Sequence, residues 1–224
     1  MKMLNALVLT VALVLMATPS AYALPTNLII NGSFETPDVG PGITSAPVGG
    51  WEVFYDATAG WTPVNNHGFE IQDHVIGRTG VAWEAYDGNQ LAEMDAYANG
   101  GMFQTVSTTI GQSYNFSFAY SPRPDLVEIS SGIDVYFNDV LIDSIWTDGG
   151  LLTNTIWNTK RYTLTATGTS STIKFLASPT GNSDGMSTLI DDIQLSPVPI
   201  PSTMLLLGSG LVGLVGYGRR RFKK

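Results

Sequence analysis

Between residues 113 and 120 the chain reads SYNFSFAY, with Tyr114, Phe116, Phe118 and Tyr120 alternating against Ser113, Asn115, Ser117 and Ala119. A period of two sends successive side chains to opposite faces of a strand, so this stretch predicts a strand with four aromatic rings on one side. GIDVYFNDVLIDSIW (132–146) predicts a hairpin, with strands at 135–137 and 140–145 and a turn at Asn138-Asp139. KRYTLTATG and STIKFLAS alternate again, placing Tyr162 with Leu164 and Ile173 with Phe175. Clusters of Gly, Asn, Asp and Ser separate these runs, and no stretch of helical period exceeds two turns. Short strands at this spacing predict an all-β domain, an antiparallel jelly-roll β-sandwich spanning residues 24–195.

The two ends of the 224-residue chain follow other patterns. Residues 1–23 carry Lys2, then an apolar stretch over 4–17 without a polar face, then Ala21-Tyr22-Ala23, which fits signal-peptide cleavage before Leu24. Residues 196–201 hold Pro197, Pro199 and Pro201 and predict a stiff linker. Residues 202–224 form an uncharged, Gly-rich segment and then Arg219, Arg220, Arg221, Lys223 and Lys224, the pattern of a single short transmembrane helix with its basic end in the cytoplasm. A Pro-x-Pro element, a short apolar helix and a terminal Arg cluster resemble the PEP-CTERM sorting signal of Gram-negative bacteria. That resemblance implies recognition of Pro199, Pro201, Arg219, Arg220 and Arg221 by an exosortase-type membrane enzyme. It also implies brief residence in the inner membrane and transfer to the cell surface or matrix. The central Glu of that signal is Ile200 here, which leaves open which sorting enzyme reads it. An ordinary single-pass anchor is the alternative.

Charge sharpens the picture of the body. Residues 24–198 hold all 19 acidic side chains and only Arg78, Arg123, Lys160, Arg161 and Lys174 as basic ones, a net charge of −14. Such a surface repels nucleic acid and favours cations or neutral ligands. Cysteine is absent, so an exported domain of this size is held by its core, by a metal, or by both.

NLIINGSFETP (27–37) opens the domain and LIDDIQL (189–195) closes it, with DGNQLAEMDA (87–96) and FAYSPRPD (118–125) between. Together they resemble galactose-binding-like sandwiches of the carbohydrate-binding-module type. The resemblance implies that the first and last strands pair. It also implies a structural calcium ion held by Glu35 and Asp191, with Asp192 as an alternative and a Gly32 carbonyl as a further ligand. By alternation, Asp191 shares a face with Leu189, Ile193 and Leu195 and points toward the core, where a cation would compensate its charge. The alternative is a carboxylate at the strand end, solvated or paired with a backbone N–H. Glu93 and Asp95, two apart, are read as the wet face of a half-exposed strand.

Sugar binding calls for aromatic rings against apolar sugar faces and polar groups for hydroxyls. Trp51 begins a strand and is assigned to the core. Trp61 sits beside Asn65, Asn66 and His67 on an expected loop, and Trp83 lies in a turn-rich stretch near Asp87, Asn89 and Gln90. Arg123, rigidly presented between Pro122 and Pro124, either touches ligand or pairs with a carboxylate. Trp61, Trp83 and Arg123 are thus the candidate ligand contacts. For glycoside cleavage Glu70, Glu84 and Glu93 would be the acids to examine, but with 19 acidic residues some close pair arises by chance. No H-E-x-x-H arrangement is present. The sequence therefore predicts an exported, non-catalytic protein that interacts with extracellular polysaccharide in a biofilm or envelope matrix. A self-associating matrix protein is the alternative, which a long uncovered edge strand would favour.

Overall fold

The computed structural model describes residues 26–40, 50–73, 83–124, 131–150, 152–178 and 185–199. The signal peptide, the transmembrane segment, Pro201, Arg219, Arg220 and Arg221 lie outside them, whereas Pro199 is described and exposed. Asn27–Val198 forms one compact unit. Its elements are all strands: β1 (Gly50–Phe54), β2 (Thr62–Pro63), β3 (Phe69–Asp73), β4 (Gln90–Glu93), β5 (Gly101–Ser107), β6 (Ser113–Ser121), β7 (Gly132–Phe137), β8 (Val140–Trp146), β9 (Asn158–Thr165), β10 (Ser170–Ala177) and β11 (Leu189–Pro197). They make a six-stranded sheet ordered β1-β3-β4-β11-β6-β9 and a five-stranded sheet ordered β2-β5-β10-β7-β8, with every pairing antiparallel.

The alternating sequence explains how the sheets meet. On β6, Tyr114, Phe116 and Phe118 turn inward and are buried, as Ile173 and Phe175 are on β10. Phe175 then meets Phe118 edge-on across the gap between sheets, with ring centroids 5.1 Å apart, and lies within 6.4 Å of Phe116 and Trp61. Such offset and edge-on arrangements suit the quadrupole of the rings. Trp61, expected to be exposed on a loop, is instead wholly buried in this core, where its indole N–H donates to the Asn31 carbonyl. Its polar neighbours Asn65, Asn66 and His67 are outside while the ring turns in.

The β7–β8 hairpin turns at Asn138 and Asp139, both in the left-handed region at φ 49° and 62°, the conformation a two-residue turn needs to match strand twist. The Asn138 side chain also accepts from Thr172 N, tying the turn to β10.

The chain start runs beside the last strand. Leu28 N donates to Leu195 O and Ile193 N to Gly32 O. The backbones come so close that a Cβ on Gly32 would sit 2.1 Å from the Ile193 carbonyl oxygen, so position 32 has room for glycine alone. Replacing Phe175 by Ala removes the ring that joins both sheets. We expect a loss of about 3–5 kcal/mol of stability in urea denaturation, the usual range for a buried Phe. A loss below about 1 kcal/mol would mean that the inter-sheet contact is not rooted in this ring.

Candidate functional site

The six-stranded sheet has a second face, turned away from the core. Register decides which side chains stand there: Trp51 opposite Gln72, Val53 opposite Glu70, Gln72 opposite Leu91, Glu70 opposite Glu93, and Glu93 opposite Leu189. On this face Trp83, Leu91 and Leu189 bury one another in a small apolar cluster with Trp157 against it. Trp83 is thus 1% exposed. Its ring is capped by the Arg123 guanidinium, 4.9 Å from its centroid.

Arg123 also resolves the choice left by the sequence: it pairs with a carboxylate, and that carboxylate is Glu93. Glu93 and Asp95, expected on a wet face, are both fully buried. Each Glu93 oxygen is occupied. Oε1 accepts from Ser187 N, and Oε2 accepts from Arg123 and from Gln72 Nε2. The same Gln72 Nε2 donates to Glu70 Oε1, at 2.6 Å in both bonds, so the two carboxyl groups have oxygens no more than twice 2.6 Å apart. Burial raises the affinity of both groups for protons, and the Glu93 charge adds to it at Glu70, which is pushed up to about 8. Glu93 is surrounded by donors and keeps the charge beside Arg123, while Glu70, with one donor, holds the proton.

Beside this network lies a cavity of about 400 Å³, lined by the aromatic Trp51 and Tyr97 and by the polar Glu70, Gln72 and Arg123. Trp51, assigned to the core from sequence, is half-buried here because position 51 shares the outward phase of Gln72. Tyr97 follows β4 on a loop and is 63% exposed. Gln72 is almost completely buried, and since its amide nitrogen serves both carboxyl groups, its Oε1 is left with no partner. Of the sequence-chosen ligand candidates, Arg123 lines this cavity, Trp83 lies beneath Arg123, and Trp61 is remote in the core. Trp51, Tyr97 and Gln72 line the cavity too; the signal that could have grouped Trp51 and Gln72 with Glu70 is their shared phase on neighbouring strands, whereas Tyr97 on its loop carries no such signal. Glu84 is exposed, and its carbonyl accepts from Thr155 and from the Trp157 indole.

The carboxylates assigned to calcium do different work. β11 pairs with β6 through a bulge between Asp191 and Gln194, with Asp192 at φ 46°. The extra residue resets the phase, so Leu189 and Asp191 face outward while Ile190, Ile193 and Leu195 enter the core. Asp191 is buried all the same, accepting from Tyr86 N and Asp87 N on Oδ2 and from Asp192 N on Oδ1. Glu35 Oε1 accepts from Asn89 N and Gln90 N. The turn over residues 86–90 is therefore held at both ends by carboxylates. Gly88 at its centre, at φ 73°, leaves no room for a side chain over Glu35. The Asp192 carboxylate faces Gln194, and the Gly32 carbonyl is taken by Ile193 N. Among the described residues no three acidic or histidine side chains converge on one point. Main-chain amides bond both oxygens of Asp191 and Oε1 of Glu35.

No protein-family model matches the chain, and no curated protein matches it. Solved structures do. The K1 cleaved adhesin domain of Lys-gingipain from Porphyromonas gingivalis W83 is similar with a TM-score of 0.45 at 12% identity, over 68% of this chain and 99% of that one. TmCBM61 in complex with β-1,4-galactotriose gives 0.42 at 16% identity, over 77% and 99%. CBM35 from Paenibacillus barcinonensis gives 0.39 at 15%, over 65% and 97%.

Two outcomes test the network. Arg123→Met leaves the Glu93 charge buried and unpaired, and is expected to cost about 3–5 kcal/mol in denaturant unfolding. The double variant Arg123→Met/Glu93→Gln recovers most of that loss, and a single variant as stable as the parent would remove the ion pair from the account. The second outcome concerns pH. Burial also pushes the Asp191 carboxyl up to about 8 against the pull of its three amide partners. Both Glu70 and Asp191 bind protons more tightly folded than unfolded. Their contribution is therefore complete below their ordinary values of 4.5 and 3.8 and is lost as pH rises toward about 8. Stability should fall across that window, and Glu70→Gln should make the slope shallower; an identical slope in that variant would place the proton elsewhere.

Proposed function

We propose that the folded unit is a non-catalytic module that binds extracellular polysaccharide through the outward face of its six-stranded sheet. The observation that carries this reading is the cavity in which two aromatic rings, Trp51 and Tyr97, meet the polar Glu70, Gln72 and Arg123. A sugar ring has apolar C–H faces and hydroxyl edges, and a site of a few hundred Å³ with aromatic lining and a few fixed polar groups suits it. Binding on strands costs little ordering, since β1, β3 and β4 hold Trp51, Glu70 and Gln72 in register.

The same geometry argues against glycoside cleavage. That chemistry needs two carboxyl groups roughly 5–9.5 Å apart, both able to reach the bond or its water. Glu93 is close to Glu70 but is wholly buried with both oxygens engaged, which leaves Glu70 as the one accessible acid of the pair. Self-association through an edge strand is the second reading. β8 is an edge and exposes Val140 and Leu141, but its pairing with β7 is broken by a bulge between Val135 and Tyr136, a device that turns an edge away from partners.

Around this module we place the ends of the chain as the sequence suggests. The signal peptide exports it, the C-terminal segment halts in the inner membrane, and an exosortase-type enzyme passes it to the cell surface or matrix of a Gram-negative bacterium. The test is affinity electrophoresis and calorimetry against a panel of bacterial and plant polysaccharides. Trp51→Ala and Tyr97→Ala should each weaken retention at least about tenfold with the fold intact. Retention unchanged in both variants would move the binding surface elsewhere, and released oligosaccharide would make the protein an enzyme.

A further inference from the structure

The groups that the cavity offers are unequal in kind. Glu70 lines it with one oxygen bonded to Gln72, and Arg123, which lines it as well, is bound to Glu93. Gln72, 1% exposed and also lining the cavity, adds an acceptor, Oε1, that has no partner among the described residues. A buried acceptor without a donor is costly, and a buried carboxyl group with no cation of its own keeps its proton until a cation arrives. Rings of Trp51 and Tyr97 line the same space, and aromatic faces attract ammonium groups as well as sugar C–H faces. The body of the protein carries a net −14, which draws cationic ligands toward it.

We infer that this cavity selects a saccharide unit bearing a free primary ammonium, with Glu70 as its counter-charge and Gln72 Oε1 as a second acceptor, an inference that rests on the carbohydrate-binding reading above. An ammonium has three donors and no acceptor, which matches what the cavity lacks. A neutral hydroxyl supplies one donor and no charge that would hold Glu70 ionised. Among the described residues, the groups that face Glu70 are the Glu93–Arg123 pair and Gln72, with apolar or aromatic Val53, Trp51 and Tyr97. None of them brings a spare positive charge. Burial keeps Glu70 protonated when the cavity is empty. Seating an ammonium ionises it, and one proton leaves to solvent.

The experiment is calorimetry of the full-length protein in about 0.15 M salt, where long-range attraction to the acidic surface is screened. The ligands are a β-1,4-linked glucosamine tetramer, its fully N-acetylated form, a neutral β-1,4-glucose tetramer and butylammonium. At about pH 6 the amine is charged and Glu70 holds its proton. The free-amine tetramer should bind at least about tenfold tighter than the two neutral ones, with a heat that scales with the ionisation enthalpy of the buffer as a proton is released. Glu70→Gln should abolish the preference, whereas Asp56→Asn, an exposed acid far from the register of the site, should keep it. Should Glu70→Gln fail to fold, the buffer dependence in the parent decides the matter. Equal binding of all three tetramers, a preference that survives Glu70→Gln, or no proton release overturns the ammonium selection and leaves sugar binding standing. Butylammonium bound as tightly as the glucosamine tetramer keeps the ammonium site and overturns the saccharide. Absence of any binding overturns both.

Discussion

A carboxylate taken wholly out of water loses several kcal/mol of hydration, about the margin that keeps a domain folded, and Glu93 is such a group. The outward face of the larger sheet is built around its compensation. Arg123 supplies the counter-charge and, being held there, lays its guanidinium over Trp83. Trp83 in turn closes the apolar cluster with Leu91 and Leu189. Gln72 supplies another donor to Glu93 and thereby binds Glu70 into the same network. One charge on β4 thus organises residues from β3, the loop after β6 and the segment before β11. The cavity beside them takes its polar lining from the same groups. Structural need and binding chemistry are therefore not separable on this face. The buried pair is the structural part, and the residue left over, Glu70, is the part with chemistry to offer.

Asp191, buried, and Glu35, half-buried, show a different solution to the same cost. Asp191 pairs with no basic side chain among the described residues and accepts from three main-chain N–H groups, and Glu35 from two more. Hydrogen bonds to a charged acceptor contribute roughly 1.5–3 kcal/mol each, so three of them offset a large part of the desolvation of a buried acid. The amides belong to a turn that would otherwise have no reason to lie against the sheet. Burying the acid and ordering the turn are thus one event. Tyr86, in that turn, packs edge-on against Trp157 and carries the turn over to the β9 side of the face.

Much of the fold is written in single-strand periodicity, which depends only on neighbours. The alternation at residues 113–120, the Asn138-Asp139 turn and the phase of Ile173 and Phe175 stand in the structure as the sequence predicts. What periodicity does not carry is which face of a sheet a phase belongs to. Trp61 has polar neighbours, yet its ring turns into the core; Trp51 opens an apolar-looking strand, yet lines a cavity. The bulge at Asp191–Gln194 is a second kind of gap, since one extra residue flips the phase and the sequence DDIQ does not announce it. The site is the third. Glu70, Gln72, Glu93 and Arg123 come from three distant segments, and only strand pairing brings them together.

Strand pairing fixes the relative positions of the groups on this face before any ligand arrives. Loops pay to be ordered when a ligand arrives, whereas cross-strand neighbours are already fixed by the ladder that joins them. Trp51 and Gln72 sit opposite one another on β1 and β3, and Glu70 and Glu93 on β3 and β4, so a single ladder positions an aromatic ring, an amide and two acids. Tyr97 alone among the named lining residues stands on the loop that leaves β4, and it is also the most exposed of the aromatic pair. A ring fixed by the ladder stands on one side of the cavity and an exposed loop ring on the other.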